Sequence, residues 1–428
     1  MRTAHAAAAA AVVASLVAAS RAIAAWSPPR TVRIPPSALV ALAVDGRGDV
    51  AIAWSERGLP PAQGATVRVA LRRAGGAFRT RTLWTSRRTT ASEPAVAVDA
   101  RGQVTVAWPS AVPGRNGGTI RAAYGPLSGR WHAARVVSAG LAPVRLAVAP
   151  DRDVLLTFAA IPPARGDQAF TTPGVAWRTA GHRFGRAARL SAPRLVIPVQ
   201  ATPAVPAFDA AGTAYVSSPC DSVVLRTRPG GRRFTTRTTL GPRQVLGFSL
   251  SVSRAGRGLA SWVAGRCTAD VMAGDTPGPV VARALAGGRF GAPQQLSTSA
   301  TAYATAAVAL PDGSGSVSWA ERNDDRGDVL RSAVGADGVA SAPQPVADAL
   351  VPVTATRAGD QVLALAFANP PVVPGPTLLV RPAGGGPDQP APHAPSLLVA
   401  SSDGRAVAAT WSTGVPVGSR MAVSVWRP

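Results

Sequence analysis

Apolar and polar positions alternate in short bursts along this chain, and one burst of about a dozen residues returns eight times. It reads AVDGRGDVAIAW up to Trp54 and AVDARGQVTVAW up to Trp108, with looser copies ending at Phe158, Ser218, Trp262, Trp319, Phe367 and Trp411. Within each copy an alternating apolar run leads into a D-x-x-G turn, and a second alternating run ends on an aromatic. Period-two alternation belongs to half-buried strands. Asp and Gly supply the turn, Asp by bonding its own backbone and Gly by accepting positive φ. The phrase predicts a β-hairpin whose terminal ring packs between neighbouring sheets.

The segments after the hairpins repeat too. VRVALRRAGGAFRTRTL follows Trp54, and SVVLRTRPGGRRFTTRTTL follows Ser218. Each reads as a strand, a Gly-rich turn, an aromatic (Phe78, Trp131, Phe184, Phe234 or Phe290) and an outer strand. Four short strands per unit, repeated at 40 to 60 residues, predict an all-β fold: a β-propeller of four-stranded antiparallel blades. The count is eight blades, with seven open because the Ser218 unit lacks its aromatic. The units run approximately 36–90, 91–139, 140–192, 193–240, 241–297, 298–347, 348–392 and 393–428. The last is one strand short, and the segment from Trp26 to Ile34 reads as that strand, closing the ring. No part of 26–428 sustains a helical apolar stripe, and Gly (43) and Pro (40) are abundant.

Composition adds little about activity. All 45 basic residues are Arg, against 22 acidic ones, giving a formal charge of +23. The Ala, Gly, Pro and Arg bias resembles that of a high-GC coding sequence. The arginines are spread over every unit without clustered stacking aromatics, so no nucleic-acid partner is expected.

Met1-Arg2, the apolar run Ala6–Ala19 and the small residues at Ala22–Ala24 read as a signal peptide over 1–25. The run is too short for a settled membrane span, and none is expected after cleavage. A secreted, extracellular or cell-envelope monomer follows. Export suits a disulfide between Cys220 and Cys267, each in the loop after its unit's repeat phrase.

The first unit carries a family resemblance. Arg33-Ile34-Pro35, then Glu56-Arg57, then Leu71-Arg72-Arg73-Ala74-Gly75-Gly76-Ala77-Phe78 resemble the opening motifs and a degraded Asp box of sialidase-type (BNR) repeat propellers. The resemblance covers one unit well and the others only as repeat pattern. It implies a place for Arg33 in an arginine cluster holding a substrate carboxylate. Retaining members also need a Tyr nucleophile with a Glu partner and an Asp acid/base, an exception to the two-carboxylate rule. This chain has only Tyr124, Tyr215 and Tyr303, with none in the C-terminal quarter, and only Glu56, Glu93 and Glu321. The expectation is a non-catalytic, secreted member.

Other chemistry is sparse. No His spacing suits a metal. Asp324, Asp325 and Asp328 offer oxygen ligands to Ca²⁺, though an exposed polar loop explains them equally, and no cofactor is expected. R-G-D occurs at Arg47, Arg165 and Arg326, as turn chemistry. The function expected is a binding or scaffold module for a glycan, cell-wall polymer or protein. Its candidate ligand residues are Arg33, Glu56, Glu93, Tyr303 and Glu321. The alternative is a sialidase-like glycoside hydrolase or lyase with its site at the channel mouth.

Overall fold

The computed structural model describes residues 25–427. Outside the description lie several connecting segments, including 58–63, 114–117, 161–169, 196–204, 219–220, 266–277 and 324–325, and most connections beyond residue 348. The described residues form an all-β architecture of eight antiparallel sheets, four of them with four strands in sequence order and four with five. None of them forms a helix long and apolar enough to cross a membrane.

Sheet one consists of Leu39–Val44, Val50–Arg57, Ala65–Arg72 and Arg79–Ser86, from inner to outer strand. The inner strands of sheets two to eight are Ala95–Val98, Val144–Val148, Val205–Phe208, Val245–Val252, Ala302–Ala309, Thr354–Ala358 and Leu397–Ala400. Each inner strand contacts the inner strand of the next sheet, and that of sheet eight contacts Leu39–Val44 of sheet one. This is the layout of a β-propeller. The Ser218 unit keeps four strands although it lost its aromatic.

The hairpins form where the phrase places them, and the described turns, those of the first six sheets, share one hydrogen-bond pattern. The N–H of Gly48, Gly102 and Gly212 donates to the carbonyl oxygen of Asp45, Asp99 and Asp209. These glycines have φ between 75° and 83°. In the third unit Arg152 takes that place, bonding Ala149 at 2.9 Å with φ 73°. The Asp side chains hold the turns from inside: Asp45 Oδ1 accepts from the N–H of Arg47 (3.0 Å) and Asp49 (2.9 Å), and Asp99 Oδ1 does the same for Arg101 and Gln103.

Cores lie between sheets. Trp108 packs with Val67 and Val69 between sheets one and two, Trp319 with Val263 and Val280 between five and six, and Trp262 with Tyr215 and Phe248 between four and five. Truncating such a ring to Ala costs about 3–5 kcal/mol. A further core joins sheet one to sheet eight: Val50, Ile52 and Trp54 pack with Ala408, Val423 and Val425, and with Val32 and Ile34.

The N-terminal segment adds to the C-terminal sheet. Arg30–Arg33 pairs antiparallel with Arg420–Val423, and Trp26 sits opposite Trp426. Ser27 donates its N–H to Val425 O and accepts from the Val425 N–H on Oγ. Outer strands elsewhere are uneven. That of sheet three breaks into Ala188–Arg189 and Arg194–Leu195, and that of sheet five into Arg289–Phe290 and Gln294–Gln295 around Gly291 and Pro293. Proline cannot donate to the ladder, so it falls on edges.

Candidate functional site

Strand register divides the molecule into two ends. At one, the inner and second strands of the first six sheets join through four- or five-residue turns, such as 45–49 and 149–153. At the other, the second and third strands join through connections from two residues (324–325) to fifteen (265–279). Glu56 and Glu321 lie at this second end.

Both glutamates serve the repeat's own aromatic. Trp54 Nε1 donates to Glu56 Oε1 at 2.7 Å, and Trp319 Nε1 to Glu321 Oε1 at 2.7 Å. Arg68 Nε lies 3.1 Å from Glu56 Oε1, and Ser297 Oγ donates to Glu321 Oε1 at 2.5 Å. Their equivalent spacing in the sequence reflects one structural duty performed twice.

The remaining candidates are dispersed. Glu93 is exposed, 3.8 Å from Arg145 of the next sheet. Arg33 is exposed on the edge strand of sheet eight, in register with Arg420. Tyr303 belongs to the inner strand Ala302–Ala309, and its side chain lies outside the described residues. So do Cys220, Cys267, Asp324, Asp325 and the R-G-D at Arg165. Asn323 and Arg326 are register partners on adjacent strands, and Arg326–Val334 is a strand, which puts the third R-G-D in a strand. The first R-G-D closes on itself: Arg47 lies 3.1 Å from Asp45 and 3.3 Å from Asp49. Among the described residues no group of three or more His, Cys, Asp or Glu is placed to hold a metal.

A cavity of about 350 Å³ runs between the inner strands of sheets one to five. Its wall is largely aliphatic, including Leu42, Val44, Val98 and Leu146, with Asp209 and Arg254 at the turn end. Arg33 and Glu93 do not line it.

Most buried charged groups among the described residues gather at the turn end, and several lay beyond the sequence motifs. Asp49 Oδ1 accepts the Ala74 N–H at 2.8 Å, capping the turn between the third and outer strands of its own sheet. Asp153 repeats this with Ala180 at 2.9 Å and also receives Arg232 of the next sheet at 2.8 Å. The D-x-x-G-D spacing of the first turn carried that signal, since a second Asp can reach outward. Arg178 is fully buried with its guanidinium 5.0 Å from the Tyr124 ring centre. Burial lowers its pKa, and the charge of Asp99 partly restores it. Burial also raises the Asp45 carboxyl, against the pull of the Asp49 N–H. Tyr215 is raised by burial first and by the Asp209 carboxylate second.

The class this geometry defines is the β-propeller. No family model and no curated protein matches the chain. Among solved structures it is similar to an α-L-arabinanase of Penicillium chrysogenum, at 12% identity and TM-score 0.42, covering 94% of this chain and 98% of that one. It is also similar to the β-propeller domain of the trilobed protease from Pyrococcus furiosus, at 12% identity and TM-score 0.41, covering 82% and 97%. A Hadza microbial sialidase matches at 14% identity and TM-score 0.37, covering 68% of this chain and 63% of that one. None of these likenesses bears on activity.

Proposed function

We propose that the chain is an exported, eight-bladed propeller closed by its N-terminal strand, acting as a binding or scaffold module for an extracellular glycan, cell-wall polymer or protein. The ligand meets the end where second and third strands connect. The observation that carries this is the contrast between the ends: short turns pinned by Asp carboxylates at one, connections of two to fifteen residues at the other. Rigid scaffolds that vary their loops on one side use those loops for recognition. Closure is supported by the core shared between sheets one and eight and by the pairing of Arg30–Arg33 with the last strand. The engagement of Glu56 and Glu321 with tryptophans supports binding over hydrolysis.

Export predicts a mature N-terminus at Ala25 or Trp26, and a Cys220–Cys267 disulfide in a non-reducing peptide map. For function, the mature protein is screened against a glycan array and cell-wall extracts. A variant with 58–64 and 161–169 each replaced by a two-residue turn is screened beside it. A micromolar ligand lost in the variant supports the reading; no ligand at micromolar concentration contradicts it.

A further inference from the structure

On sheet eight and sheets one to five the signs of charge separate by strand position; the outer strand of sheet six, Gln344–Asp348, carries an acid and no arginine, and that of sheet seven, Gln389–Pro390, carries no charge. Arg30 and Arg33 on sheet eight, Arg79 and Arg81 on sheet one, Arg135 on sheet two and Arg237 on sheet four are all exposed on outer strands. Arg189 and Arg289 continue the pattern on sheets three and five. No Asp or Glu occurs in 27–35, 76–92, 128–142, 181–200, 229–244 or 286–301. Many acidic residues lie instead in the hairpin turns, where Asp45, Asp99, Asp153 and Asp209 are buried on backbone N–H groups or, for Asp153, on an arginine.

Two bland causes do not account for this. Charged edge strands discourage sheet-to-sheet aggregation, but Glu would do so as well as Arg. A coding bias favours Arg over Lys, but it does not decide where acids fall. The arginine strips also adjoin: the outer strands of sheets one and two touch, and Arg81 Nη2 donates to Gly129 O at 3.0 Å.

We propose that this belt, running over the outer strands of sheet eight and sheets one to five, binds an acidic polysaccharide, a chain of uronate or sulfated sugars lying across successive outer strands. It goes beyond the binding-module reading, adding to the loop end a second, separate surface and naming the ligand for it. Guanidinium forks pair in two-point fashion with carboxylate and similar oxyanions. Thr80, Thr82 and Thr235, exposed between the arginines, offer hydroxyls to sugar hydroxyls. The aromatics of these strands turn inward: Phe78, Trp84 and Phe234 pack on cores. Single-stranded nucleic acid, which needs rings to stack on, is therefore the poorer fit.

The test uses size-fractionated heparin and the whole mature protein, with dissociation constants measured by titration calorimetry at 50 and 200 mM salt. Several released counterions predict roughly a 100-fold loss between those salts. The triple variant Arg79→Gln, Arg135→Gln, Arg237→Gln is expected to bind at least ten-fold more weakly at 50 mM. A control with equal charge removed at the turn end (Arg47→Gln, Arg101→Gln, Arg254→Gln) is expected to stay within two-fold of wild type. Equal losses in both variants would reduce the effect to net charge and overturn the proposal. So would an unchanged perimeter variant, or single-stranded DNA binding as tightly as heparin. Should heparin fail while the glycan and cell-wall screen yields another ligand, the belt is refuted and the module reading stands.

Discussion

Trp319 and Glu321 are joined by an indole N–H that donates to a buried carboxylate at 2.7 Å, two residues along one strand. The same bond recurs at Trp54 and Glu56. Trp108 and Trp262, followed two residues on by Ser110 and Ala264 instead of Glu, have buried indole N–H groups with no hydrogen-bond partner among the described residues.

Removing that acceptor strands two donors, the Trp319 indole and the Ser297 hydroxyl. Glu321→Ala is expected to destabilise the fold by about 1–3 kcal/mol, and Glu321→Gln, which keeps an acceptor oxygen, by about 1 kcal/mol or less. Urea melts of both variants check this. Equal losses would show that the charge matters and the acceptor does not.

Arg152 holds a left-handed conformation that glycine holds in the neighbouring repeats. Arg152→Gly should stabilise the chain by about 0.5–1 kcal/mol, relief of backbone strain exceeding the added chain entropy. Gly102→Ala should lose about 1–2 kcal/mol or more, because a Cβ there would meet Leu127 Cδ1 at 2.9 Å with φ at 76°. Thermal melts that reverse these signs would reject the shared turn geometry.

Asp153 joins sheets three and four, receiving the Ala180 N–H from within and Arg232 from the next sheet. Its two partners should differ in weight. Asp153→Ala is expected to cost about 1–3 kcal/mol for the lost buried acceptor. Arg232→Ala should cost less than about 1 kcal/mol, since its side chain is 48% exposed and solvent screens the pair. The reverse ranking would place the weight on the ion pair.

Tyr215 gives a pH signature. Its folded pKa is raised above the ordinary value of 10.0 by burial and by Asp209. Between the unfolded and folded values the native state therefore holds the proton more firmly. Stability from this group is full below pH 10 and declines as pH rises from there. Stability measured from pH 9 to 11 should fall less steeply in Tyr215→Phe than in wild type; an identical slope would exclude Tyr215 as a source.

The turn-and-aromatic phrase made the hairpins legible because Asp, Gly and Trp each do local work that shows in local spacing. The trailing strand at Trp26–Ile34 was legible for a related reason, since the final unit was visibly one strand short. The site was much less so. Glu56 and Glu321 look like chemistry in a chain with three glutamates, yet both answer the hydrogen-bonding need of a ring two residues away. Asp49 left a trace in the D-x-x-G-D spacing, but Asp153 meets Arg232 and Arg178 meets Tyr124 across to other sheets, where sequence neighbours reveal nothing. The separation of arginine from acid appears only once strands are ranked from inner to outer.

The most direct test concerns the first and last strands. Arg33→Cys and Arg420→Cys, introduced together with Cys220→Ser and Cys267→Ser, place two thiols at register partners, where Cα atoms lie about 4.5–5.5 Å apart and a disulfide can form. Mild oxidation of the folded protein, read by mass spectrometry of unreduced peptides, should yield one product linking the N- and C-terminal peptides within a single chain. Two free thiols after oxidation, or links formed only between separate molecules, would contradict a propeller completed by its own N-terminal strand.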